Sequence, residues 1–148
     1  MNEKNSPRQR RPYQLLWLAT LLLTGMVTQS PAAQTVGVEL NRLESIPDGC
    51  RAYLVFRNEA KQTFERLQLD LVIFDSAGII SRRLAVDASP LRGGKTSVKV
   101  FDIEGVACDA IGRVLLNDVL ECQIDGERQT DCVERMRASS RAEVPLVK

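Results

Sequence analysis

The chain of 148 residues has no histidine, and its single tryptophan, Trp17, stands near the N-terminus with Tyr13, one of only two tyrosines. Without histidine, the base that most often activates a Ser, Cys or Thr nucleophile is missing, and so is a common zinc ligand. No Cys-x-x-Cys occurs either. The four cysteines are separated by 57, 13 and 9 residues, which suits neither a zinc site nor a thioredoxin-like redox pair. A basic surplus is also lacking. Residues 1–33 take four of the 20 Lys and Arg and one of the 19 Asp and Glu, leaving 16 against 18 and a formal charge of −2. Nucleic-acid binding normally shows as basic residues gathered on one face. Here Arg82, Arg83, Lys95 and Lys99 read as a solvated strand face. Aromatic platforms for carbohydrate are scarce too, because Tyr53, Phe56, Phe64, Phe74 and Phe101 are mostly needed for a core.

Catalytic alternatives are correspondingly thin. Ser97 and Lys99 form a Ser-Lys arrangement on paper, but strand alternation places both on one exposed face. The carboxylates Asp102 with Glu104, and Asp109 with Asp118, fit solvated turns better than acid–base or calcium chemistry, since no EF-hand spacing accompanies them. The expectation is a protein that is not an enzyme and needs no cofactor or metal.

What is present begins with an export signal. Lys4, Arg8, Arg10 and Arg11 precede an uncharged apolar run from Leu15 to Val27, followed by Gln29-Ser30-Pro31-Ala32-Ala33-Gln34 with small residues at the cleavage point. The run is shorter than the roughly 20 residues of a membrane span. Cleavage is expected after Ala32 or Ala33, with an uncleaved N-terminal anchor as the alternative. A lipoprotein is disfavoured because the first cysteine is Cys50. Arg10-Arg11 followed by Pro12-Tyr13 partly matches a twin-arginine signal, although Gln9 and Gln14 depart from that pattern, so a general secretory signal is preferred.

Residues 34–148 have the length of one domain, and their dominant period is two. Leu67, Leu69, Leu71 and Ile73 fall on one face of a strand, with Gln68 and Asp70 opposite. Strands are likewise expected over Val36 to Leu43, Ala52 to Phe56, Ile79 to Val86, Ser97 to Phe101 and Arg113 to Cys122. Turn signals separate them at Pro47-Asp48-Gly49, Asn58-Glu59, Asp75 to Gly78, Pro90 with Gly93-Gly94, and Asp125-Gly126. Asp75 to Gly78 suits a type I turn closed by a glycine at positive φ, making Leu67–Asp75 and Ile79–Val86 a hairpin. Asp131-x-x-Glu134 is expected to cap a short helical turn through Met136, and Arg137 to Val144 to return as a charged edge strand before Pro145. The fold class is all-β, an antiparallel immunoglobulin-like sandwich of six to seven strands.

In an exported domain an even cysteine count reads as structural disulfides. Of the three pairings open to Cys50, Cys108, Cys122 and Cys132, the preferred one is Cys50–Cys108 with Cys122–Cys132. The short bridge is tied to a turn: a two-residue Asp125-Gly126 turn would set Cys122 opposite Gln129, whereas a five-residue loop from Asp125 to Gln129 would set it opposite Cys132. The five-residue loop is therefore expected.

Two resemblances bear on the reading. The order of strand, Asn58 turn, Phe64, Asp-x-x-Gly hairpin and Leu91-Arg92-Gly93-Gly94-Lys95 loosely resembles small bacterial immunoglobulin-like modules. Glu39 to Glu44, Cys50 to Val55, Arg82 to Asp87, Val106 to Asp109 and Asn117 to Cys122 resemble an uncharacterised family of secreted alphaproteobacterial proteins, often labelled only by their export signal. That likeness implies a periplasmic home in a Gram-negative cell and carries no activity. The functional expectation is a non-catalytic periplasmic interaction or envelope accessory module whose partner is another envelope protein, with no nucleic acid and no membrane once the leader is removed. The alternative is a thiol–disulfide or metal-handling protein using the Cys108–Cys132 cluster.

Overall fold

The computed structural model describes residues 35–148; the leader, its cleavage point and Trp17 lie outside the described residues. Among the described residues nine strands follow one another: β1 (Val36–Ile46), β2 (Gly49–Asn58), β3 (Phe64–Asp75), β4 (Ile80–Asp87), β5 (Thr96–Glu104), β6 (Ile111–Ile124), β7 (Glu127–Arg128), β8 (Met136–Ser140) and β9 (Leu146–Val147). They form two sheets. The first runs β5-β2-β1-β8, and in the second β4-β3-β6 is extended by β7 and β9, which both pair with β6. Seven of the strands have five or more residues, within the six to seven that turn spacing suggested. Leu40, Leu54 and Phe56 from one sheet meet Phe64, Leu69, Leu71 and Leu116 from the other in a fully buried layer, the apolar interior of a sandwich.

Alternation explains most of this layer. Leu67, Leu69, Leu71 and Ile73 of β3 are all fully buried. At the end of that strand the Asp75 carboxylate accepts from the Ala77 and Ile79 backbone amides. Gly78 stands at φ 81° and donates to the Asp75 carbonyl, so the hairpin turns as the Asp-x-x-Gly pattern requires. A two-residue link joins β1 to β2, Ile46 facing Gly49. A Cβ at Gly49 would lie 2.2 Å from the Ile103 carbonyl oxygen, which excludes any larger residue there.

Three details depart from the sequence reading. The β6–β7 hairpin closes over two residues, with Ile124 facing Glu127, and not over the expected five. Asp125 at φ 53° and Gly126 at φ 79° give the doubly positive turn that Asp-Gly favours because its twist matches the flanking strands. The region from Cys132 to Met136 forms successive i→i+3 turns, with Arg135 N–H donating to the Cys132 carbonyl and Met136 N–H to Val133, so the helical turn expected there is present as turns but without its expected cap. Asp131 pairs with Arg135 and does not act as a cap. Finally, β8 joins β1 in parallel and β9 joins β6 in parallel, so the sheets are mixed. The expected terminal strand Arg137 to Val144 ends at Ser140, whose hydroxyl donates to the Val144 carbonyl across the bend.

Candidate functional site

The four cysteines form two bridges, Cys50–Cys108 and Cys122–Cys132, the pairing preferred from sequence. The second forms although its hairpin turn is the two-residue one. Gln129 N–H donates to the Cys122 carbonyl, and the turns after Thr130 bring Cys132 back to a Cα separation of 6.5 Å from Cys122. Cys108, in a single 3₁₀ turn at Cys108–Ala110, precedes β6, whereas Cys122 lies near its far end. At about 3.3 Å per residue those ends are roughly 35 Å apart. Cys108, Cys122 and Cys132 therefore do not constitute one cluster, and the sequence proximity that suggested one is an effect of a long strand.

The other sequence candidates are dispersed into structural roles. Ser97 and Lys99 share a face, but it is the half-buried inner face of β5 and not the exposed one; Phe101 and Ile103 have the same parity, and their apolar bulk sets which side turns inward. The Lys99 ammonium donates to the Ser89 carbonyl at 2.7 Å. Asp102 and Glu104 lie on β5 and not in a turn, and Asp118 is on β6; only Asp109 sits in a turn. Arg82 donates to the Glu104 carbonyl, tying β4 to β5. Arg83 grips Asp70 through two bonds, yet Arg82 and Arg83 both remain exposed on β4 as a solvated strand face would have them, whereas Lys95 is exposed just before β5 and Lys99 is half-buried. Phe56 and Phe64 are core residues, Phe101 packs against them, and Phe74 lies beneath the Arg113 guanidinium at 4.2 Å on the outer side of the second sheet.

The outer face of the first sheet is an ordered polar surface. Arg51 is bidentate to Asp102 across β2 and β5, and this pairing lowers the Asp102 carboxyl below its ordinary range. Arg42 stacks 4.4 Å from the Tyr53 ring centroid, and the Tyr53 hydroxyl donates to Glu44, whose carboxyl is lowered chiefly by that bond. Glu39 is buried on this face. Asn41 foremost, then Arg57 and Arg141, hold it ionised. The side chains of β5 then complete the face with Val98 and Val100, exposed by 58% and 51%.

Edges decide what such a sandwich can bind, because an edge strand presents unpaired N–H and C=O groups. β4 carries Arg83 and Asp87 on its outer side. β6 is interrupted by register shifts opposite β3 and is flanked by β7 and β9 at its ends. β8 has five residues. By contrast, β5 pairs with β2 from Thr96 to Glu104 without a register shift. Asn58 N–H bonds the Lys95 carbonyl and Gly105 N–H bonds the Asp48 carbonyl, which fixes the phase of this ladder: odd-numbered residues of β5 face β2, and Thr96, Val98, Val100 and Asp102 turn their backbone groups outward. Among the described residues no strand lies beyond them. Sequence reading identified the strand but assigned its exposed face to the wrong parity.

Fold and bridges together define a small, disulfide-bonded, all-β sandwich. No family model and no curated protein matches the chain. Among solved structures, IrmA from Escherichia coli is similar in fold, with a TM-score of 0.56 and 12% identity over 77% of this chain and 97% of that one. At that identity the likeness concerns the fold alone.

Proposed function

We propose that this is a non-catalytic, exported domain of a Gram-negative envelope, working in the periplasm as a protein-interaction module that receives a partner along β5. The proposal includes membership of the secreted alphaproteobacterial group that the sequence resembles. The carrying observation is the regular β5 edge, which no described strand covers, with Val98 and Val100 beside its outward-facing backbone groups. Strand addition uses such an edge: main-chain hydrogen bonds supply affinity, and alternate side chains supply selectivity. Two disulfides in a domain of this size fit an oxidising compartment. The thiol-handling alternative is less well supported, because Cys50, Cys122 and Cys132 are buried and thiol exchange requires access.

Val100→Pro tests the proposal selectively. The Val100 N–H points away from β2, so proline removes a free donor without removing a bond of the sheet. Crosslinking in the native cell is expected to capture an envelope protein with the wild-type chain and to lose it with Val100→Pro, while the thermal midpoint stays within a few degrees. Capture that is unchanged in Val100→Pro and in Val100→Lys would refute the role of β5.

A further inference from the structure

We infer that the strand received by β5 is an extended peptide segment with an acidic residue between two apolar ones, its carboxylate opposite Lys99 and its apolar side chains over Val98 and Val100; this rests on the β5 reading above. In an antiparallel or parallel addition the incoming residues alternate between the two faces of the sheet. On the outer face they meet Val98 and Val100. On the inner face they meet Lys99, whose ammonium stands at the seam between the sheets and, among the described residues, is held by the Ser89 carbonyl. Among the described residues no carboxylate lies within ion-pair distance of it. Asp87 is near enough for the Lys99 charge to contribute to its lowered pKa, but that carboxylate is engaged chiefly by Ser89.

Lys99 also discriminates between occupants. An inward charge on an edge strand opposes pairing with another sheet edge, which would bury it without compensation. A two-fold pairing of β5 with a second copy centred on Lys99 sets two ammonium groups face to face, and one centred on Val100 sets Lys99 against Phe101. A single acidic strand instead supplies the missing counter-charge. The available length is bounded as well: Arg82 crosses to the Glu104 carbonyl and closes the seam at that end, leaving Thr96 to Asp102 for the ligand.

The probes are two nine-residue peptides blocked at both ends, one with valine–glutamate–valine at its centre and one with lysine replacing the glutamate. They are titrated into isotopically labelled protein purified from the envelope, and amide exchange is followed at Val98 and Val100. The glutamate peptide is expected to bind about fivefold or more tightly than the lysine peptide and to protect both amides. Lys99→Gln is expected to bring the two affinities within about twofold, and Val100→Pro to weaken both. Equal affinities for wild type, or a preference that survives Lys99→Gln, would overturn the inference. So would protection of Val98 and Val100 without peptide, with a doubled mass indicating a second copy and an unchanged mass the chain's own N-terminal segment. If neither peptide binds but cellular capture still depends on Val100, the acidic specificity falls and the interaction role stands. If capture is independent of Val100, the role falls whatever the peptides do.

Discussion

Asp70 is 1% exposed on the side of β3 that alternation assigns to solvent. Arg83 covers it from β4 and Asn117 donates to it from β6 at 2.6 Å. The Arg83 bonds, foremost, depress its carboxyl below the ordinary range. A depressed folded-state value means that ionisation stabilises the fold above the unfolded carboxyl range and that this contribution disappears as pH falls through the folded value. Asp70→Asn is therefore expected to lose about 1–3 kcal/mol at neutral pH, with the difference narrowing as pH falls below the ordinary aspartate range. Urea unfolding at pH 7 and pH 2.5 measures both. A difference that is the same at the two pH values would assign the loss to packing and not to charge.

Gly78, at φ 81°, closes the β3–β4 turn, while Ala77 beside it has ordinary negative φ. Gly78→Val should cost about 1–2 kcal/mol more than Ala77→Val, as compared by urea midpoints; equal losses would contradict the turn geometry. This hairpin was readable in the sequence because its information is local: alternating leucines, an aspartate that caps the turn and a glycine that permits it. The β6–β7 turn was less so, since Asp125-Gly126 spoke for two residues while the cysteine spacing spoke for five; the two-residue turn prevails, and the chain still reaches the bridge by bending again after Thr130. The parallel positions of β8 and β9 were hidden for another reason. Val36 lies opposite Met136, and pairing at that distance leaves no local periodicity by which to recognise it. The β5 edge was half visible: period two gave the strand, but the exposed face followed only from weighing Phe101 and Ile103 against Ser97 and Lys99.

At the scale of the whole molecule, the bridges enclose loops with sequence separations of 58 and 10. The chain-entropy argument assigns about 4 kcal/mol to the first and about 3 kcal/mol to the second, together comparable to the stability of a typical domain. Reduction should therefore lower the melting temperature sharply, and replacing Cys50 and Cys108 by alanine should be more damaging than replacing Cys122 and Cys132. A reduced protein melting within a degree or two of the oxidised one would remove the structural role. Export carries its own signature: cleavage after Ala32 or Ala33 leaves no tryptophan and only Tyr53 as tyrosine. Protein from the envelope is expected to emit as tyrosine does and to have the intact mass of a chain starting at Ala33 or Gln34. A full-length mass with tryptophan emission would establish the uncleaved anchor.

The parallel seating of β8 on β1 has a mechanical meaning. With Val36 beside Met136 and Leu40 beside Ser140, tension applied between the beginning of β1 and the end of β8 drags the two strands past one another, so their hydrogen bonds resist together and do not peel apart in turn. Once that clamp yields, the chain still cannot pay out fully, because the Cys50–Cys108 bridge short-circuits a loop with a sequence separation of 58, or about 200 Å of contour. Under such tension the oxidised domain would therefore extend less than the reduced one by about that contour.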